Sequence, residues 1–201
     1  QNNRLPSWET NCIEDWETKI EAIIEETLDE NMTVIAGIPS WVQMYFERLR
    51  QKTGKDVGQL FKNFELFIYG GVNFEPYRTK FESLIGRKVD GIELFPASEG
   101  FFAYQDRQDK TGMLLLTDAG IFYEFIKAEH FFDDHAERLT LNEVELDVDY
   151  TMVISTNAGL WAYNLGDTVR FVTKDPYRVI VSGRIKHFIS AFGEHVIAKE
   201  V

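Results

Sequence analysis

The spacing of apolar residues predicts helices that alternate with short buried strands in the first half of the chain. At about 11–28 and at 41–49, apolar side chains recur every three or four residues, which is typical of one face of an amphipathic helix. Continuous apolar runs predict three buried strands, at 34–38, 66–69 and 91–95. Because crossover connections between such strands are right-handed, we predict an α/β part over 1–100 with a mostly parallel sheet.

The pattern changes after residue 100. Apolar runs now follow one another closely and are separated by turn-rich segments such as 106–112 and 117–120. Connections this short join antiparallel strands. We therefore predict that 101–185 forms an antiparallel sheet or a small distorted barrel. The fold class is α/β, with the antiparallel part following the mostly parallel one.

Composition and charge exclude several classes of partner. The 201 residues are 44% hydrophobic and 14% aromatic, which is enough to fill a hydrophobic core. Acidic residues outnumber basic ones by 33 to 21, giving a formal charge of −12. A nucleic-acid surface needs clustered basic side chains, and so does an anionic membrane surface. We expect neither partner, and the sequence leaves the oligomeric state undetermined.

The single cysteine and the absence of a long apolar segment suggest a location. Cys12 has no second cysteine with which to form a disulfide, which suits a reducing compartment. No run approaches the roughly 20 apolar residues that a membrane-spanning helix needs, and the start is too polar for a signal peptide. We therefore expect a cytoplasmic protein. The first residue is Gln1 and the last residues read as an unfinished element, so we also expect a piece of a longer protein.

The third predicted strand ends at a stretch that can carry chemistry, 95–100. Ligands of open α/β sheets bind at the carboxyl ends of the strands. Here Ser98 can donate to a phosphate oxygen, Glu99 can hold a hard cation, and Phe95 can offer an aromatic face to a purine. The alternative is a turn in which Ser98 and Glu99 only cap and solvate the strand end.

Three further stretches are suggestive but weak when taken singly. Gly70 and Gly71 follow the second strand directly and permit a backbone to approach a ligand closely. The stretch 163–167 joins an aromatic residue and a glycine turn to Asp167, which can accept the hydroxyls of a ribose. One hairpin later, the guanidinium of Arg184 can reach the same sugar or a phosphate. Each stretch is also consistent with an ordinary turn.

One group of residues resembles a set of metal ligands. His130, Asp133, Asp134 and His135 lie close together in sequence, but their spacing fits neither a helical zinc motif nor a structural zinc site. We interpret 127–138 as an exposed loop.

Five stretches, taken in order, resemble the adenylate-forming enzyme superfamily. They are 36–41, 70–71, 95–99, 158–167 and 183–186. Within the superfamily, the chain is most similar to the Gretchen Hagen family of auxin-responsive acyl-acid amido synthetases, including its bacterial members. The resemblance extends from about residue 34 to the end of the chain.

The resemblance implies an ATP-dependent and magnesium-dependent ligase. A carboxylic acid would attack the α-phosphate of ATP to give an acyl-adenylate, and an amine, typically of an amino acid, would then take the acyl group. The chain would be a central fragment, inactive alone, because the family's phosphate loop and carboxyl-terminal domain are not within it. Two alternatives stay open: a ligase that transfers the acyl group to coenzyme A, and a non-catalytic binding domain that keeps the fold.

The resemblance also implies roles for residues on the adenosine side of the site. Gly70 and Gly71 would lie along the adenine and the α-phosphate. Phe95 would stack on the purine. Asp167 would hold the ribose hydroxyls, and Arg184 would assist it.

The remaining implied roles concern the phosphate, the metal and the hinge. Ala97 lies among the nucleotide-binding residues of its motif. Ser98 would contact the α-phosphate and Glu99 would bind magnesium, so these two are the implied catalytic residues. Lys186 falls at the family's hinge, which implies that 186–201 is a hinge and the start of a carboxyl-terminal domain.

Overall fold

The chain divides into two compact units, Gln1–Glu93 and Leu94–Val201. The computed structural model describes residues 4–185, 188–191 and 194–197. Each unit has a hydrophobic core of its own. Lys186, the predicted hinge residue, lies outside the described residues, and the role predicted for 186–201 stays a prediction.

The first unit consists of helices with a small parallel ladder. Its helices are α1 (Trp8–Asn11), α2 (Trp16–Thr27), α3 (Pro39–Thr53), α4 (Val57–Leu60) and α5 (Glu75–Ile85), and its strands are β1 (Val34–Ala36) and β2 (Leu66–Gly70). β1 and β2 are parallel, with Val34 opposite Leu66. This pair has the parallel character that the alternation of strands and helices predicts.

Local signals in the sequence fix the ends of these helices. α2 begins after Asp15, whose carboxylate accepts a hydrogen bond from the backbone N–H of Thr18 at 2.8 Å. α3 has Pro39 in its first turn, where a missing N–H costs nothing. α3 and α5 end at Gly54 and Gly86, which have φ values of +69° and +76°. These left-handed conformations favour glycine.

Aromatic side chains dominate the core of the first unit. Phe46 of α3 is fully buried, with its ring centroid 5.4 Å from that of Phe81 and 6.1 Å from that of Phe64. Both contacts are edge-on, the arrangement that aromatic pairs prefer. This packing joins α3 to α5 and to the segment before β2, and so supports the strand that ends at Gly70.

The second unit is an antiparallel sheet. Its strands are the second half of β3 (Asp90–Ala97), β4 (Gly100–Tyr104), β5 (Met113–Leu115), β6 (Ile121–Lys127), β7 (Asp149–Thr156), β8 (Tyr163–Lys174) and β9 (Tyr177–Arg184). The order across the unit is β3-β4-β5-β9-β8-β7-β6, and each neighbouring pair is antiparallel. A separate hairpin pairs β10 (Phe188–Ala191) with β11 (Glu194–Ile197). The predicted fold class is confirmed.

The third predicted strand differs from the prediction in one respect. The sequence predicts that Pro96 ends it, whereas β3 continues to Ala97 and pairs antiparallel with β4 from Leu94 onward. The register shifts between Phe95 and Pro96. Because proline has no N–H to donate, it is accommodated at an irregularity of the ladder rather than at the end of the strand.

A buried ion pair in the second unit joins β9 to the segment that follows β4. Arg178 of β9 is only 4% exposed, and its Nη2 lies 2.9 Å from Oδ2 of Asp106. The Arg178 guanidinium holds the pKa of the Asp106 carboxyl below its ordinary value of 3.8. In the core of this unit, Phe125, Tyr150 and Phe171 pack edge-on against one another.

None of the helices among the described residues combines the length and the apolar character that crossing a membrane requires.

We expect Phe46→Ala to destabilise the first unit. The substitution removes a fully buried ring from between Phe64 and Phe81 and leaves a cavity, at a cost of about 3–5 kcal/mol. The free energy of unfolding, measured by urea denaturation, checks this. Phe132→Ala is the matched control because that ring is 70% exposed. Equal losses in the two variants would contradict the core described above.

We expect Asp106→Asn to make stability less dependent on pH. The lowered pKa of Asp106 means that its ion pair stabilises the fold above pH 3.8 and that this stabilisation is lost as the pH falls further. Removing the carboxylate leaves Arg178 buried without its partner and should cost about 1–3 kcal/mol at pH 7. The deficit relative to the wild type should shrink toward zero below pH 3.8, as measured by urea denaturation across pH.

The matched control is Asp109→Asn, which removes an exposed carboxylate from a surface pair with Arg107. A deficit for Asp106→Asn that is independent of pH would contradict the ion-pair explanation.

Candidate functional site

The turn between β3 and β4 holds two of the predicted site residues. Ala97 pairs with Gly100, so Ser98 and Glu99 are the two residues of a tight hairpin turn. Ser98 is exposed and Glu99 is half-buried. A Cβ on Gly100 would lie 3.1 Å from Cε1 of Phe102 and 3.3 Å from Cδ1 of Ile121, so a larger residue would require these side chains to shift.

The carboxylate of Glu99 accepts a hydrogen bond from Tyr163, at the start of β8. The Tyr163 hydroxyl donates to Oε1 of Glu99 at 3.0 Å, across 64 residues of sequence. This hydrogen bond to a carboxylate raises the pKa of the Tyr163 hydroxyl. The phenol therefore stays protonated and remains a donor.

Asp167 and Arg184 are paired by the register of the sheet. They lie opposite each other on β8 and β9, and Nε of Arg184 is 2.9 Å from Oδ1 of Asp167. The Asp167 side chain is 14% exposed, whereas that of Arg184 is 60% exposed. Gly166 precedes Asp167 within β8, where the β7–β8 register is irregular; its φ is +84° and its N–H donates to Oδ1 of Asn164 at 3.0 Å.

The charge of Glu99 links the Tyr163–Glu99 pair to the Asp167–Arg184 pair. Burial raises the pKa of the Asp167 carboxyl, the positive charge of Arg184 opposes that rise, and the negative charge of Glu99 adds to it. Glu99 therefore lies near enough to Asp167 for their charges to interact. We call Glu99, Tyr163, Asp167 and Arg184 the carboxylate cluster.

The structure brings together part of the predicted site. Glu99, Asp167 and Arg184, which the sequence predicts to act together, belong to one cluster, and Ser98 is the neighbour of Glu99 in the same turn. Their roles toward a nucleotide stay predictions. The sequence assigns no role to Tyr163, because its partner stands 64 residues earlier and neither residue carries a signal of the contact.

The ring of Phe95 lies in the core of the second unit. Its ring is only 5% exposed and packs edge-on against Phe102, with the centroids 5.3 Å apart. A ring buried in the core has no open face for a purine, so this placement does not support the predicted stacking. Ala97, two residues later, is half-buried and packs against the same core.

Gly70 and Gly71 belong to the first unit. Gly70 is the last residue of β2, and Gly71 has a φ of +83°. No heavy atom would lie within 4 Å of a Cβ on Gly71, so the backbone conformation, rather than crowding, requires glycine there. The open space beside it is compatible with close approach of a ligand, and the predicted contacts with adenine and the α-phosphate stay predictions.

The residues that resemble metal ligands lie at the surface of the second unit. His130, Asp133, Asp134 and His135 are all exposed, and Nδ1 of His130 is 3.0 Å from Oδ2 of Asp133. No group of three or more histidine, cysteine or acidic side chains in the described part of the chain is arranged to hold a metal ion.

The carboxylate cluster fits the magnesium that the resemblance implies. Mg²⁺ is usually held by one or two carboxylates together with water and substrate phosphates, rather than by a cage of protein ligands. Glu99 supplies such a carboxylate, and its charge already disfavours ionisation of Asp167. A cation beside Glu99 would offset that excess negative charge.

Comparisons with solved structures show the fold. A GH3.15 acyl acid amido synthetase is similar over 90% of this chain and 41% of its own, with a TM-score of 0.60 and 12% identity. A 2-hydroxyisobutyryl-CoA ligase in complex with 2-HIB-AMP and CoA is similar over 90% of this chain and 42% of its own, with a TM-score of 0.67 and 14% identity. ATP-bound MatB from Rhodopseudomonas palustris is similar over 91% of this chain and 36% of its own, with a TM-score of 0.55 and 14% identity.

The chain thus spans about two fifths of the length of these solved relatives. No curated protein matches it in sequence.

Family models match most of the chain directly. The GH3 family N-terminal domain matches residues 1–89, and the GH3 family central domain matches residues 114–182. The second match contains Tyr163 and Asp167, and the first contains Gly70 and Gly71. The predicted resemblance to the Gretchen Hagen family, abbreviated GH3, is confirmed: this chain belongs to the GH3 family.

Proposed function

We propose that the protein containing this chain is an acyl-adenylating ligase, which activates a carboxylic acid with ATP. The observation that carries the proposal is the carboxylate cluster, in which a half-buried Glu99 and an Arg184-paired Asp167 lie close together. Membership of the GH3 family supports the reaction class, as do structural neighbours bound to ATP or to 2-HIB-AMP. The chain alone would be inactive, because it spans only part of such proteins.

In the proposed reaction, an oxygen of the substrate carboxylate attacks the α-phosphorus of ATP. The new P–O bond gives the acyl-adenylate, and the bond to the β-phosphate oxygen breaks to release pyrophosphate. The exposed Ser98 hydroxyl would donate to an α-phosphate oxygen as negative charge grows there. Glu99 would hold Mg²⁺, which would neutralise phosphate charge when bound.

Asp167 would hold the ribose. The ionised form of the carboxyl has two acceptor oxygens and no proton of its own, so it can accept a hydrogen bond from each sugar hydroxyl. Burial and Glu99 raise the pKa of Asp167, and Arg184 acts against them. Arg184 would therefore keep Asp167 in its accepting form, while its own exposed guanidinium leaves further donors for the ribose.

Gly70 and Gly71 would let the backbone of the first unit approach the adenine and α-phosphate. The positive φ and open surroundings of Gly71 support this. The burial of Phe95 means that a different surface would have to contact the purine in this conformation. Phe95 would instead support the β3–β4 turn from the core side.

The acceptor of the acyl group is most simply an amine, typically that of an amino acid. A neighbour described as an acyl acid amido synthetase supports this, as does the family. A second neighbour described as a CoA ligase supports the alternative, transfer to the thiol of coenzyme A. A non-catalytic binding domain is the remaining alternative. A cytoplasmic location, where ATP is available, stays a prediction.

We expect Glu99→Gln in the full-length protein to lower ATP–pyrophosphate exchange about 100-fold or more, because the cation ligand and its charge are lost. Asp167→Asn should instead raise the KM for ATP about tenfold, as one charged acceptor of the ribose becomes neutral. Exchange is measured with a panel of carboxylic acids. Asp118→Asn, an exposed turn carboxylate, is the control and should match the wild type. Exchange unaffected by both site variants would exclude the proposed site.

We expect the preformed acyl-adenylate to react with an amine rather than with coenzyme A. The full-length protein would be given ATP and an acid that supports exchange, followed by amino acids or coenzyme A. Mass spectrometry would then identify an amide or a thioester. An amide that forms only with amino acids supports the proposal, whereas a thioester as sole product would assign the protein to the alternative.

A further inference from the structure

Tyr163 and Glu99 make a contact that the proposed reaction does not yet use. The Tyr163 hydroxyl donates to Oε1 of Glu99 at 3.0 Å and joins the start of β8 to the β3–β4 turn. Glu99 stands in a turn of only two residues, and its one neighbour there, Ser98, is exposed. The turn fixes the backbone of Glu99, but it does not fix the carboxylate.

The preceding residue and the neighbouring strand β7 fix the backbone position of Tyr163. Ala162, directly before it, has a φ of +46°, and its N–H donates to Oγ of Ser155 at 2.9 Å. Tyr163 itself pairs with Ile154 of β7, a fully buried residue. A left-handed non-glycine residue persists only where its surroundings enforce it. The phenol is therefore presented from a well-determined point of the sheet.

Electrostatics explain why the Glu99 carboxylate needs a fixed partner. Asp167 and Glu99 carry like charges, so their mutual repulsion does not hold the Glu99 carboxylate in place. Arg184 is paired with Asp167 rather than with Glu99. Among the described residues, the Tyr163 hydroxyl is the hydrogen-bond donor that the structure gives to Glu99.

We propose that Tyr163 is a positioning residue whose hydroxyl holds the Glu99 carboxylate where it can bind a divalent cation together with a nucleotide. The inference rests on the proposed function for the role of Glu99. Oε1 accepts the hydrogen bond from the phenol hydroxyl, which leaves Oε2 available to a cation. Fixing one oxygen in advance reduces the freedom that Glu99 must lose when the cation binds.

Tyr163→Phe tests the hydroxyl while keeping the ring. In the full-length protein, we expect the Mg²⁺ concentration for half-maximal pyrophosphate exchange to rise about tenfold, with the KM for the acid unchanged. A second measurement does not use activity. Mn²⁺ affinity in the presence of ATP, measured by electron paramagnetic resonance of the free ion, should fall by a similar factor.

Tyr123→Phe is the matched control. Tyr123 lies on β6 and is buried, and its hydroxyl has no hydrogen-bond partner in the described part of the chain. The substitution removes one phenol hydroxyl from the same unit and leaves the Tyr163–Glu99 contact intact. Both cation measurements should match the wild type.

Glu99→Asp gives an independent probe, because the shorter side chain keeps the carboxylate but withdraws it from the phenol. We expect this variant to bind Mn²⁺ more weakly, and the Tyr163→Phe and Glu99→Asp double variant to bind no more weakly than Glu99→Asp alone. Such non-additivity is the signature of residues that act through one contact.

The outcomes separate the two proposals. If Glu99→Gln abolishes exchange but Tyr163→Phe binds Mn²⁺ as the wild type does, the inference is overturned and the proposed function stands. If Tyr163→Phe and Glu99→Asp weaken Mn²⁺ binding additively, the inference is also overturned. If Mn²⁺ binding responds as expected but no acid supports exchange in the wild type, the proposed function fails and the positioning role of Tyr163 stands.

Discussion

The register of the β8–β9 ladder is the constraint on which the candidate site depends. It sets Asp167 opposite Arg184 and so places a guanidinium 2.9 Å from a carboxylate that is only 14% exposed. A slip of one strand by one residue would turn one of these two side chains to the opposite face of the sheet. Val169, which follows Asp167 on β8, and Val179, which precedes Arg184 on β9, are fully buried and oppose such a slip.

A second constraint brings Glu99 to the same place. The β3–β4 turn projects Glu99 toward β8, where it contacts Tyr163 and adds its negative charge to the surroundings of Asp167. The result is two carboxylates, one guanidinium and one phenol in a small region, with an excess of negative charge. That composition suits a site for a divalent cation and the hydroxyls of a sugar, and it would repel nucleotide phosphates unless a cation were bound.

The sequence is informative where local signals decide the structure. Helical periodicity predicts helices that the structure contains, and turn-rich connections predict the antiparallel order after residue 100. Asp167 and Arg184 stand one hairpin apart, so their proximity follows once β8 and β9 are recognised as neighbours.

The sequence is uninformative where long-range geometry decides. Phe95 looks like an open aromatic face at a strand end, but the register shift beside Pro96 and the packing of Phe102 place it in the core. Which face a residue takes after such an irregularity depends on the partner strand, and no local pattern encodes it. For the same reason the Tyr163–Glu99 contact is invisible in the sequence, since it depends on how seven strands are ordered.

The central claim is that the carboxylate cluster binds the ribose side of ATP. The most direct measurement compares the affinity of the full-length protein for ATP and for 2′,3′-dideoxy-ATP by isothermal titration calorimetry with Mg²⁺ present. The account predicts that the dideoxy nucleotide binds at least about tenfold more weakly to the wild type and that Asp167→Asn removes most of this difference. Equal affinities of the wild type for both nucleotides would contradict it.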